Sequence, residues 1–192
     1  MVYNYSKLYP VISNIIYFII LLYAIAIIIK KSSHKDKLSV ILMVILAIFS
    51  ILSLLAGIFS VIYHLNTPSW EVNPETKQKE QFKKSLDLDK GFALILFIYG
   101  LLVLLGLIVY TRQFKYIFLN PNFWMGIIFA ILSILSYTLA TTFDKKSYQC
   151  SEGDIGCFKR YQNIYNMYHS AWHLLSGFSA IFWILLINNI NI

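Results

Sequence analysis

Five apolar runs decide what this chain can fold into: Val11–Ile29, Leu38–Leu65, Gly91–Tyr110, Phe123–Phe143 and Asn163–Ile187. About 20 apolar residues, wound into a helix, cross roughly 30 Å of hydrocarbon. Inside a bilayer every backbone N–H and C=O must find its partner within the protein, which a helix achieves by itself. The expected fold is therefore an all-α integral membrane protein, a bundle of five transmembrane helices forming a single polytopic domain over residues 1–192. Charged residues make up only 13% of the chain, where a soluble domain of this size carries roughly a quarter. The first run is too long for a signal-peptide core and has no small-residue cleavage site before Lys30, so it is expected to be retained. Asn66–Lys90, with Pro68 and Pro74 followed by Lys, Glu and Gln, reads as a solvated loop carrying a short surface helix from Glu75 to Leu86.

The formal charge of +7 is not a nucleic-acid signal, because the cations sit mostly in short loops between apolar runs and no basic arm with interleaved aromatics occurs. Their distribution orients the helices. One side of the membrane holds Lys30, Lys31, Lys35, Lys37, Arg112 and Lys115 in two short loops with a single acid, Asp36. The other side spreads its cations over Asn66–Lys90 and Asp144–Gln162 among most of the acids. Dense cations in short loops mark the cytoplasm, which predicts an exoplasmic N-terminus and a cytoplasmic C-terminus. Cys150 and Cys157 fall in one exoplasmic loop, with Gly153 and Gly156 between them, where an oxidising compartment favours a disulfide over two free thiols. Asn4-Tyr5-Ser6 is a glycosylation sequon on the same side, close against the first span.

With this topology the polar residues gather at one depth. His169 and His173 are four apart on one helix face, about 6 Å along the axis, in the first turns of the last span. Ser60 and His64 share a face near the exoplasmic end of the second span, and Asp87 and Asp89 stand where the third begins. Three neutral imidazoles with a water make a catalytic zinc sphere, with Zn–N distances of about 2.0–2.1 Å. Zinc lowers the pKa of such a water to about 7, Asp89 is placed to move its proton, and Ser60 to orient a ligand or donate to an oxyanion. Each residue has a plainer reading. The histidines can snorkel or bond a neighbouring helix, Asp89 can serve a helix N-terminus, and Asp87 can cap or be solvated. Ser53, Ser176 and Ser179, with Gly57, Gly177 and Ala180, read as small residues that let helices approach closely. Tyr63, Tyr168 and Trp172 can belong to an interfacial aromatic belt. His34, in a Lys-rich loop, reads as solvated.

Ser60-Val-Ile-Tyr-His64, then Asp89 in the next helix, then His169-Ser-Ala-Trp-His173 in the last, resembles the CREST superfamily of membrane hydrolases. That superfamily includes alkaline ceramidases, PAQR receptors, GPI-remodelling phospholipases, myomaker and the SID transmembrane proteins. Its motifs are S-x-x-x-H, an Asp at the next helix and H-x-x-x-H in the final one. Tyr168-His-Ser-Ala-Trp-His is similar to the myomaker and GPI-phospholipase branch, and Leu88-Asp89-Lys-Gly-Phe-Ala to the aspartate segment of that and the SID branch. The resemblance implies that His64, His169 and His173 bind Zn2+ and that Asp89 and Ser60 complete the site. It covers three helices only. The superfamily typically has seven spans, and the stretch from Asp89 to His169 leaves room for only two full crossings of about 20 residues each before the last helix. Losing one hairpin preserves the parity, so the final histidines still reach the exoplasmic leaflet, but that hairpin would form part of the wall of the lipid cavity.

The expected function is zinc-dependent hydrolysis of a lipid amide or ester bond, with a ceramide- or phospholipid-like substrate entering sideways from the bilayer. One alternative is a non-enzymatic relative, acting in membrane remodelling, fusion or signalling around a structural metal. Another is an accessory subunit of a larger membrane complex whose histidines are vestigial or merely packed.

Overall fold

A computed structural model describes residues 5–33, 37–66, 78–112, 114–147, 149–150 and 154–189. The sequon asparagine Asn4 and the loop histidine His34 lie outside them. The described residues form seven helices: α1 (Tyr5–Ser13), α2 (Ile15–Lys31), α3 (Lys37–Asn66), α4 (Gln78–Thr111), α5 (Phe114–Leu119), α6 (Pro121–Ser147) and α7 (Ile155–Asn189). Five segments are long and apolar enough to cross a bilayer: Tyr9–Lys31, Lys37–Leu65, Leu88–Tyr110, Pro121–Ser147 and Gly156–Asn189. They contain the five spans expected from the sequence and extend each of them at one or both ends.

The first span is broken between α1 and α2. Pro10 sits inside α1, where its ring and missing N–H disturb the helix. Its own carbonyl is satisfied by two side chains, accepting from Ser13 Oγ at 2.7 Å and from Asn14 Nδ2 at 2.9 Å. The chain restarts at Ile15 with a buried stripe of Ile16, Tyr17, Ile20, Ala24 and Ile27. These positions recur every three or four residues, so one face of α2 packs inward against α3 and α7. Gly57 on α3 and Gly177 on α7 leave the space for it. A Cβ on Gly57 would approach Tyr17 Cβ to 3.1 Å, and one on Gly177 would overlap Ile16. The two glycines therefore form a slot that seats Ile16 and Tyr17 between the helices that carry the histidines.

Two sequence expectations are corrected at the helix ends. The surface helix expected from Glu75 to Leu86 is no separate element, because α4 runs unbroken from Gln78 into the third span. No glycine or proline interrupts residues 78–90, so nothing stops the helix there. The loop expected from Asp144 to Gln162 is shorter than it reads, because α6 continues to Ser147 and α7 begins at Ile155. Gln162 Nε2 donates to Asp144 Oδ1 at 3.0 Å and to Ser147 Oγ at 2.8 Å, which pairs these polar residues across the two helices. Asp154 caps α7 by accepting from the Cys157 N–H at 2.9 Å. Cys150 and Cys157 form a disulfide, with Cα atoms 5.9 Å apart. At the other end Arg112, with φ of 53°, ends α4 in the left-handed conformation. Asn120 Oδ1 then caps α6 through the Asn122 N–H at 2.9 Å, with Pro121 at the first helical position.

The α6–α7 hairpin is the most closely packed pair. Gly126, Ser133, Ser136 and Ala140 form the buried face of α6, small residues that bring the backbones together. Ser179 Oγ donates to the Gly126 carbonyl at 2.8 Å, Trp183 Nε1 to Ser179 Oγ at 2.9 Å, and Ser136 Oγ to the Tyr168 carbonyl at 3.2 Å. Helix α4 leans on α3 and meets α7 only lightly. Many large apolar side chains, among them Leu22, Leu102 and Val109, remain exposed. Apolar exposure on this scale fits a surface solvated by lipid rather than by water.

Candidate metal centre

Helix α3 carries Ser60 and His64 one turn apart, α4 brings Asp89, and α7 brings His169 and His173 one turn apart. His64, Asp89, His169 and His173 each offer one donor atom, and these atoms all lie within 4.8 Å of one another. The relative exposure of the four is 5%, 1%, 1% and 0%, and that of Ser60 is 0%. Ser60, His64, Asp89, His169 and His173 are thus all buried, and the four donors among them come together at one spot. The three imidazoles meet at steep angles, with ring centroids 4.8 Å apart for His64–His169, 4.6 Å for His169–His173 and 5.9 Å for His64–His173.

Hydrogen bonding separates this cluster from ordinary buried polar residues. His64 Nε2, His169 Nε2 and Asp89 Oδ2 are fully buried and have no hydrogen-bond partner. The last two face each other at 3.6 Å, too long for a hydrogen bond. A buried polar atom left unpaired costs about 1–3 kcal/mol, and three of them share one place. Asn14 Oδ1 and Ser53 Oγ, the other such atoms among the described residues, belong to no group of this kind. A metal ion would satisfy the two imidazole nitrogens directly, and the carboxylate directly or through a bound water. Three imidazoles with a carboxylate make a donor set suited to a borderline divalent ion such as zinc. Tetrahedral ligands at 2.0–2.1 Å stand about 3.4 Å apart, so donors within 4.8 Å of one another would close by up to about 1.4 Å to grip one.

The surroundings are aromatic. Trp172 lies 5.1 Å from His169 and 4.7 Å from His173 between ring centroids, Tyr165 lies 5.2 Å from His169, and Tyr63 lies 4.9 Å from His64. Tyr63 and Trp172 are buried. They wall the site rather than join an interfacial belt, because their helices turn them inward onto the histidines. Tyr168, by contrast, stacks on Phe143 at 5.7 Å. These rings keep water from the cluster and lower the local dielectric, which strengthens charge interactions inside it.

Asp89 has lost its plainer reading. Helix α4 starts at Gln78, so Asp89 stands about three turns inside the helix, where the N-terminal dipole no longer favours an acid. The backbone of α4 also runs through Asp87, whose side chain lies outside the described set. Ser60 Oγ sits 3.2 Å from His173 Nε2, beside the cluster.

Two residues near the histidines were not singled out for chemistry in the sequence. The Tyr17 hydroxyl reaches His173 Nδ1 at 3.1 Å and Ser176 Oγ at 3.4 Å. Tyr17 follows two isoleucines in an aliphatic span, and Ser176 lies three residues after His173. A hydroxyl in the middle of an apolar run was the available signal for Tyr17. Its partner is 156 residues away in sequence, so only the fold reveals the contact.

Comparison with family models, with curated proteins and with solved structures gives no match to this chain.

Proposed function

We propose that this chain is a zinc-dependent hydrolase that cleaves an amide or ester bond of a membrane lipid. The observation behind the proposal is the convergence of four buried donors from three helices with three of their atoms unpartnered. The order of the motifs, S-x-x-x-H, then Asp, then H-x-x-x-H, supports the same chemistry through its resemblance to the CREST superfamily. His64, His169 and His173 hold the metal. Bound zinc supplies a water of pKa about 7 and polarises a carbonyl. Asp89, through Oδ2, takes the proton of the attacking water and passes it to the leaving group. Ser60 donates its hydroxyl proton to the oxyanion that develops on the acyl carbonyl.

The apolar setting supports a lipid substrate. Below the cluster, from about 16 to 27 Å along α4 from Asp89, shallow apolar clefts follow the light α4–α7 contact, lined by Gly100, Val103, Leu107, Trp183 and Ile187. An acyl chain whose carbonyl sits at the histidines would extend in this direction. The charge distribution supports an exoplasmic or lumenal leaflet for the cluster.

The test is turnover by purified protein in detergent, against a panel of ceramides and phospholipids. About one zinc per chain and hydrolysis of at least one class are expected. Asp89→Asn is expected to lower the rate by about a hundredfold or more while keeping zinc and the melting temperature. Metal-free protein that still turns over lipid would sink the proposal. The weak packing of α4 on α7 favours one alternative, a structural metal in a non-enzymatic membrane protein. Zinc bound without turnover of any lipid in the panel would select it.

A further inference from the structure

We infer that Tyr17 and Ser176 are positioning residues that hold His173 in the tautomer whose lone pair lies on Nε2, facing His64, His169 and Asp89. The inference follows from counting protons. A serine hydroxyl has one proton to donate, and Ser176 gives it to the His173 carbonyl at 3.0 Å. Toward Tyr17, 3.4 Å away, Ser176 Oγ is left only as an acceptor. The Tyr17 hydroxyl therefore donates to Ser176, and its one proton is used. Toward His173 Nδ1, 3.1 Å away, the Tyr17 oxygen then accepts, so Nδ1 carries the hydrogen. A neutral imidazole has one N–H. Nε2 consequently keeps its lone pair, which receives the Ser60 hydroxyl in the metal-free site or a metal ion.

The packing fixes this arrangement. Tyr17 is 2% exposed and sits in the slot that Gly57 and Gly177 leave, its ring edge-on to His173 with centroids 5.7 Å apart. The break at Asn14 sets the register in which α2 enters that slot. Helix α2 thus supplies no ligand, yet it orients the ligand that α7 supplies. Histidine ligands commonly donate their second N–H to a partner of this kind, and losing the partner weakens metal affinity about 10- to 100-fold.

The consequence for metal affinity rests on the proposed metal site, but the tautomer does not, which keeps the two separable. The experiment uses full-length protein in micelles with 15N-labelled histidine, and assigns His173 by comparison with His173→Gln. Metal-free wild type is expected to show the Nδ1–H tautomer at His173, and Tyr17→Phe a mixture of both. Zinc competition is expected to give a 10- to 100-fold loss of affinity in Tyr17→Phe, with the melting temperature of the metal-free protein close to wild type because the ring still fills its slot. Ser176→Ala, which frees the Tyr17 proton to point at Nδ1, is expected to change the tautomer in the same direction. Ser176→Thr, which keeps the hydroxyl, should restore it, and this pair serves if Tyr17→Phe does not fold. An Nε2–H tautomer in the metal-free wild type would overturn the inference. So would wild-type tautomer and zinc affinity in both Tyr17→Phe and Ser176→Ala. Wild type that binds no zinc but shows the Nδ1–H tautomer would instead remove the metal reading and leave the orientation of His173 standing.

Discussion

Helix α7 buries polar groups on two of its contacts, and the two are satisfied in opposite ways. Against α6, Ser179, Gln162 and the Tyr168 carbonyl find partners in Gly126, Ser147, Asp144 and Ser136, and Trp183 donates to Ser179 within α7. Against α3 and α4, His169 Nε2, His64 Nε2 and Asp89 Oδ2 find none. The first set behaves as glue between closely packed helices, each bond contributing about 0.6 kcal/mol, rarely above 1.7. The second set costs stability as it stands. Atoms satisfied on one contact of a helix and three left open on the other mark the second contact as the one that could hold a metal ion.

That contrast can be broken from either direction. Replacing His169 by Leu, of similar volume, is expected to lower zinc affinity by two to three orders of magnitude, about one ligand's share of a typical zinc site. The metal-free protein should melt no lower than wild type, since an unpartnered buried imidazole is removed. A large fall in metal-free stability would mean that His169 is a packing residue, and the contrast would fail. Replacing Ser179 by Ala should do the reverse and on a smaller scale. It strands Trp183 Nε1 and removes the interhelical bond to the Gly126 carbonyl, lowering stability by about 1 kcal/mol, while zinc affinity stays unchanged. Thermal unfolding and zinc competition on the two variants read both effects.

The glue and the site were not equally legible in the sequence. The five spans follow from length and apolarity, and the site residues from i, i+4 spacing combined with the parity of the helices. Those signals act within single helices, where the sequence carries its own geometry. Asp89 was visible, but its role was ambiguous until α4 proved to begin at Gln78 and left it well inside a helix. Trp172 and Tyr63 carry no sequence mark that separates an interfacial ring from one walling a buried site. That distinction depends on how helices rotate against one another. Ser176 read as a packing residue because its function depends on Tyr17, and Tyr17 reaches it only through the slot left by Gly57 and Gly177. Contacts between distant helices are set by packing complementarity, which periodicity within one helix does not encode.

The most direct measurement is X-ray absorption at the zinc edge on purified, zinc-reconstituted protein. The expected result is about one zinc per chain with a first shell of three imidazole nitrogens at about 2.0–2.1 Å, completed by oxygen. Folded protein that takes up no zinc at saturating concentration, or zinc held without imidazole, would contradict the assignment of His64, His169 and His173 as its ligands.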